Sequence, residues 1–224
     1  SDNNNTPTIT LNGITVTVTD YSNETGTSSD YTQALNSAIT TLNNDSGTYN
    51  VDAADKTRYE QVQAIHDYVC DTVSYTTSSD LTPRKFQTVY SALVEHVTVC
   101  AGYAKAFKVL CDEYKIPCVL VSGTGGTNGK QEDHMWNYVQ MDDSKWYAVD
   151  CTWDDDDKTT TYHDFFLVGK DTPASNFGSN VTFGNSHTES GSWSSSSSQY
   201  QFTYPTLETN KYTPKENLTG SVSI

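Results

Sequence analysis

Three residues carry the chemistry open to this sequence: Cys100, His134 and Asp150. They lie in Val99-Cys100-Ala101-Gly102-Tyr103-Ala104, Asp133-His134-Met135-Trp136-Asn137-Tyr138-Val139 and Trp146-Tyr147-Ala148-Val149-Asp150-Cys151-Thr152-Trp153-Asp154. Cysteine attacks as thiolate, and a free thiol with a pKa of about 8.5 is mostly protonated at neutral pH. A helix start favours the anion through its unpaired N–H groups and partial positive charge. Cys100 stands where a helix should begin. Ala101, Gly102 and Ala104 keep the approach to its sulfur narrow but open. A histidine would serve as base, and a carboxylate behind it would fix the imidazole tautomer and stabilise the imidazolium. By itself Cys100 reads equally well as one more buried thiol on an apolar helix, so its neighbours must decide.

The elements that position these residues are readable from periodicity. Tyr103, Phe107, Leu110, Cys111 and Tyr114 form an apolar stripe, which predicts a helix over 100–114 that ends at Lys115-Ile116-Pro117. Cys118–Ser122 is a continuous apolar run and predicts a buried strand, followed by a polar Gly-rich loop over 123–131. Two strands follow, 133–141 and 145–153. With Asp142-Asp143-Ser144 as a three-residue hairpin loop, Met141 pairs with Lys145, Trp136 with Asp150 and His134 with Thr152. His134 and Asp150 are then diagonal neighbours on one face. An even-numbered loop would break that parity. Upstream, Tyr59, Val62, Ile65, His66, Val69 and Cys70 predict a helix to about Thr72. Helices are also expected over 31–42 and 86–93, a strand or hairpin over 9–19, a short apolar strand over 165–168 and a last strand near 200–204. Helices first and antiparallel strands later indicate an α+β fold.

In this order the three stretches resemble the core motifs of the transglutaminase-like superfamily, with the nearest likeness to its bacterial, secreted, cysteine-protease branch. Ile65-His66-Asp67-Tyr68-Val69, Ser91-Ala92-Leu93-Val94 and Lys115-Ile116-Pro117-Cys118 extend the similarity, which covers about 58–170. The resemblance implies a papain-like core in which a nucleophile helix packs on an antiparallel β-sheet. It further implies Cys100 as nucleophile, His134 as base and Asp150 as orienting acid. The activity implied is acyl transfer from amide bonds of a protein or peptide through a thioester. Hydrolysis is favoured, with glutamine-to-lysine cross-linking and a non-catalytic cell-surface binding module as the alternatives. Cys151 departs from the apolar residue more usual after the Asp, and Ala101 is a second departure. For the oxyanion, the Cys100 backbone N–H is one donor, and either Gln87 or Tyr90 could be another. Trp136 and Trp153 either line the cleft or only pack the sheet.

The chain has 224 residues, enough for one core with appendages. We expect a polar tail, edge strand and helix over 1–50, the catalytic core over 51–175, and a Ser/Thr-rich extension packed on it over 176–224. Net charge is −15 with 13 Lys and Arg, which argues against nucleic acid or an anionic membrane as partner. No apolar run approaches the roughly 20 residues of a membrane span. Abundant Ser, Thr and Asn with few lysines suggest a secreted or cell-surface protein, and Ser1–Asn5 reads as the start of a mature chain. The cysteines are Cys70, Cys100, Cys111, Cys118 and Cys151. Without a C-x-x-C or a close Cys/His cluster, neither structural zinc nor any cofactor is expected. The four cysteines besides Cys100 are expected as buried small hydrophobes, with a Cys70–Cys111 disulfide as the alternative. His66 is expected in the core. His96, His163 and His187 have no evident partner. The acidic run Asp154–Asp157 is expected as a solvated turn rather than a calcium loop.

Overall fold

A computed structural model of the chain describes residues 8–11, 14–17, 28–44, 47–52, 55–77, 85–127, 129–155, 161–174, 180–191, 193–194 and 201–214. A hairpin of β1 (Thr8–Leu11) and β2 (Ile14–Thr17) precedes α1 (Ser28–Leu42) and α2 (Arg58–Thr72). Then come β3 (Ser74–Tyr75), a 3-10 turn at Lys85–Gln87, α3 (Val89–Leu93), β4 (Val97–Thr98) and α4 (Cys100–Glu113). The main sheet uses β5 (Cys118–Gly125), β6 (Glu132–Gln140), β7 (Trp146–Val149) and β8 (Phe166–Val168), with the one-turn α5 (Cys151–Asp154) between the last two. After these come α6 (Phe183–Ser186), β9 (His187–Glu189), β10 (Trp193–Ser194) and β11 (Gln201–Phe202).

The five-stranded sheet has the order β8-β7-β6-β5-β9, and each neighbouring pair is antiparallel. Alternation along the strands divides the apolar residues into two cores. One joins Val139, Val149 and Phe166 to Tyr103, Phe107, Leu110 and Cys111 of α4 and to Ile65 and Val69 of α2. The other gathers Val121, Trp136, Tyr138, Phe165 and Phe183. The fold is therefore α+β, with the Cys100 helix packed on an antiparallel sheet.

Local signals set the boundaries of the elements. Thr57 and Glu60 close a reciprocal capping box at the start of α2. Helix α4 stops through a left-handed Lys115 at φ 57°, and Ile116 and Lys115 donate N–H bonds to Cys111 O at 2.9 Å and Asp112 O at 3.1 Å. That is a Schellman stop, followed at once by Pro117. The β6–β7 hairpin has the expected three-residue loop. Met141 N–H donates to Lys145 O at 3.0 Å, Ser144 is left-handed at φ 64°, and Gln140 pairs with Trp146.

Several expectations change. Strand β5 runs on through Gly123–Gly125, where a loop was expected, because Gly125 pairs with both Glu132 and His187. Strand β7 ends at Val149 instead of continuing to 153, because the Asp150 side chain accepts the N–H groups of Thr152 and Trp153 and turns the chain into α5. A strand that the periodicity did not show, β9, adds an edge to β5. All five cysteines are free thiols, so the alternative Cys70–Cys111 bridge is not formed. Cys70, Cys111, Cys118 and Cys151 lie in the α4 core.

Gly102 holds the nucleophile helix close to its neighbour. A Cβ built there would sit 1.9 Å from Oγ1 of Thr98. Thr98 is fully buried and held by Ser91 Oγ at 2.8 Å and the Phe86 carbonyl at 2.7 Å. A branched side chain held on both sides has no way to yield, so the helix start would have to move. Gly102→Ala is expected to destabilise the fold by about 1–3 kcal/mol and to shift Cys100. Urea unfolding measures the first effect, and the alkylation rate of Cys100 the second.

Candidate active site

The first residue of α4 is Cys100, preceded by an extended Val99 with no side-chain cap, so the first N–H groups of the helix surround the sulfur's own turn. Asn137, buried on β6, donates to the Ala104 carbonyl at 3.0 Å and fixes that first turn against the sheet. Cys100 lines a cavity of about 340 Å³ together with Gln87, Ser122, Gly123, His134 and Ser190. Gln87 therefore borders the cavity, whereas Tyr90 is buried and absent from that lining.

From the neighbouring strand, His134 Nε2 lies 2.6 Å from Asp150 Oδ2, and both side chains are nearly inaccessible. The hairpin register predicts this contact, and the hydrogen bond is short enough to be charge-assisted. With Nε2 taken by the carboxylate, Nδ1 is the nitrogen left for Cys100, which lines the same cavity as His134. Gly125 makes room for the imidazole, since a Cβ there would lie 2.9 Å from His134 Cδ2.

A further histidine completes the arrangement. His187, at the start of β9, places Nε2 3.0 Å from the same Oδ2 of Asp150, and its Nδ1 lies 3.0 Å from Ser186 Oγ. Its ring stacks on Phe183 with centroids 4.1 Å apart and lies against Trp153 at 4.3 Å. Asp150 Oδ1 meanwhile accepts the Thr152 and Trp153 amides at 3.0 and 3.3 Å. The buried carboxylate thus meets four N–H groups.

The electrostatics follow from these contacts. Burial alone would lower the His134 pKa, but the charge and hydrogen bond of Asp150, with a smaller contribution from Cys100, outweigh it and push it up to about 10. Burial alone would raise the Asp150 carboxyl. The charge and hydrogen bond of His134, then His187, hold it well below the usual carboxylate range. His187 goes the other way: burial and the nearby His134 charge lower its pKa despite Asp150. A neutral His187 donating Nε2–H and a charged His134 therefore share one carboxylate.

Trp153 borders a second cavity of about 510 Å³, on whose lining His134, Glu132, Asp133, Asp155, Lys130 and Tyr75 also appear. Trp136 is 1% exposed and packs the second core, so of the two tryptophans only Trp153 faces an opening.

Two other sequence expectations need correction. Asp154 is fully buried rather than solvated, bonded by His66 Nε2 at 3.2 Å and by the Phe165 N–H at 3.0 Å. Asp156 and Asp157 lie outside the described residues. His163 and His187 both have partners, Asp67 and Asp150. His187 escaped sequence reasoning because a three-residue strand shows no alternation. The one local sign was Thr182-Phe183-Gly184-Asn185, a capping box just ahead of it. His66 is in the core, as expected.

Residues 45–151 match the family model of the transglutaminase-like superfamily, which takes in Cys100, His134 and Asp150. Among curated proteins none matches the chain. Of solved structures, a TGase aligns at 14% identity over 55% of this chain and 31% of its own, with a TM-score of 0.41. The periplasmic domain of TgpA from Pseudomonas aeruginosa, bound to ethylmercury, aligns at 19% identity over 55% of this chain and 44% of its own, with a TM-score of 0.38. The chain thus spans less than half the length of either. Among the described residues no helix is long and apolar enough to cross a membrane. The stretch over 45–151, with its ordered Cys, His and Asp motifs, is thus similar to the transglutaminase-like superfamily.

Proposed function

We propose that the protein is a thiol-dependent acyl-transfer enzyme that hydrolyses amide bonds of proteins or peptides, with Cys100 as nucleophile, His134 as acid and base, and Asp150 as the group that orients His134. The observation that carries this reading is the 2.6 Å bond between His134 Nε2 and Asp150 Oδ2 beside a thiol at the head of a helix. The Cys100 sulfur adds to the amide carbonyl, and the charge on oxygen needs preorganised donors. The Cys100 N–H and the Gln87 amide are the candidates. His134 gives its proton to the departing amine, the C–N bond breaks and a thioester forms. Water, deprotonated by the now neutral His134, then releases the acid and restores the thiolate–imidazolium pair.

Gln87→Ala is expected to lower turnover about 10²-fold with no change in thermal midpoint, because the side chain is exposed. Steady-state kinetics alongside a melting curve check it. The polar, acidic composition supports a secreted or cell-surface location, where the substrate would be met.

A cross-linking transferase is the second reading. The acidic side of the 510 Å³ cavity, with Glu132, Asp133 and Asp155, suits a cationic amine approaching the thioester. Release of ammonia from a glutamine peptide, measured with and without a primary amine, separates the two. Acid product in both cases supports the hydrolase. Amine incorporated in step with ammonia released supports the transferase.

A further inference from the structure

His66 is a fully buried histidine on α2 that takes no part in the chemistry above, yet both of its nitrogens face carboxylates. Nδ1 is 2.9 Å from Asp67 Oδ1, and Nε2 is 3.2 Å from Asp154 Oδ2. The same Asp67 oxygen lies 2.7 Å from Nε2 of His163. His66, Asp67 and His163 can each offer one ligand atom within 4.8 Å of the others. The side chains of Asp67 and His163 are 26% and 36% exposed, so the cluster opens to solvent on that side.

We propose that His66, Asp67 and His163 form a binding site for a divalent transition-metal ion of the zinc class, with Asp154 orienting His66 from behind. Two imidazole nitrogens and one carboxylate oxygen are a donor set that suits zinc, at bonds of about 2.0–2.2 Å. Ligands of such a tetrahedral ion sit about 3.3 Å apart. The present contacts therefore open by about half an ångström on binding, and the two side chains that must move, Asp67 and His163, are the exposed ones. A ligating histidine usually donates its other ring N–H to a carboxylate. Asp154 is in that position, and Phe165 N–H bonds at 3.0 and 3.2 Å hold it there. The fourth position falls to water. Binding replaces the protons on His66 Nδ1 and His163 Nε2 with the metal and releases them to solvent. The ion would tie α2 to the segment at 161–165. Because the Asp154 N–H donates to the Asp150 carbonyl at 3.2 Å, it would also brace the reverse side of the candidate active site. The proposal does not depend on the catalytic reading.

Two other clusters could take such an ion: His134, Asp150 and His187, and the enclosed His66, Cys70 and Cys151. The test therefore uses the full chain carrying Cys100→Ala, titrated with Zn²⁺ by calorimetry and with Co²⁺ by visible absorption. One equivalent should bind, raise the thermal midpoint and give the d–d bands of a tetrahedral nitrogen–oxygen site. His163→Ala and His163→Gln, at a partly exposed position, should weaken binding at least about tenfold and remove the shift in midpoint. His187→Ala should leave both unchanged. Absence of binding, binding indifferent to His163, or a sulfur-to-cobalt charge-transfer band would overturn the proposal.

Discussion

Asp150→Asn is expected to lower amide hydrolysis by about 10³–10⁴-fold while the fold survives. The carboxylate accepts from His134, His187, Thr152 and Trp153. Asparagine can keep its oxygen toward the two backbone amides that cap α5, but its NH₂ then faces His134. To meet a donor, His134 must present Nε2 as acceptor and carry its proton on Nδ1, toward Cys100. In that tautomer the ring cannot take the thiol's proton. Asp150→Ala should behave differently. It leaves two buried histidine N–H groups unmatched and uncaps α5, so we expect about 3–5 kcal/mol of lost stability as well as lost turnover. Steady-state kinetics and urea unfolding on the two variants separate orientation from folding. Equal turnover in wild type and Asp150→Asn would remove Asp150 from the mechanism.

Stability should fall as the solution is made alkaline, in a window set by His134. Its pKa is pushed up to about 10 in the fold, against about 6.5 for an unstrained imidazole. The folded protein thus holds a proton that the unfolded chain releases. The contribution is complete below about pH 6.5 and is lost as pH rises through about 10. Asp150 acts in the opposite sense. Its carboxyl is held below the usual range, so its contribution is present above about pH 3.9 and is lost in acid. Urea midpoints should therefore be greatest between roughly pH 4 and 6.5 as far as this pair decides, with a decline on the order of a few kcal/mol toward pH 10. In His134→Ala the alkaline decline should shrink. A direct check is the His134 imidazole resonance, which should titrate near pH 10 in the wild type and lower in Cys100→Ala. A titration near 6.5 would mean that the ring is not paired with Asp150 as described.

How much of this was legible in the sequence follows from the range of each interaction. The stripe Tyr103, Phe107, Leu110 and Cys111 lies on one helix face, so period alone located α4. The His134–Asp150 pair depended on one hairpin: the three-residue loop set the register as far as Asn137 opposite Val149, and although the ladder stops there, short of the expected Trp136–Asp150 and His134–Thr152 pairs, Asp150 still meets His134 from the start of α5. What remained hidden depended on distant partners. His187 reaches Asp150 only because β9 pairs with β5, and nothing local in His187-Thr188-Glu189 records that pairing. Gly123 and Gly125 looked like loop residues because glycine is common in loops. Here they are strand residues kept small for β9 and for the His134 ring. Asp154 looked solvated in a run of aspartates, and its burial depends on His66, which lies far upstream. Strand β7 was expected to continue past Asp150 because alternation cannot reveal that a strand-end carboxylate will cap the next turn.

The central claim is that His134 activates Cys100, and it can be measured without knowing the substrate. The rate of carbamidomethylation of Cys100 by iodoacetamide at neutral pH should be compared between the wild type and His134→Ala, with Cys70, Cys111, Cys118 and Cys151 protected by burial. Activation by an adjacent imidazolium predicts a loss of about tenfold or more in the variant. Equal rates in the two proteins would contradict the account.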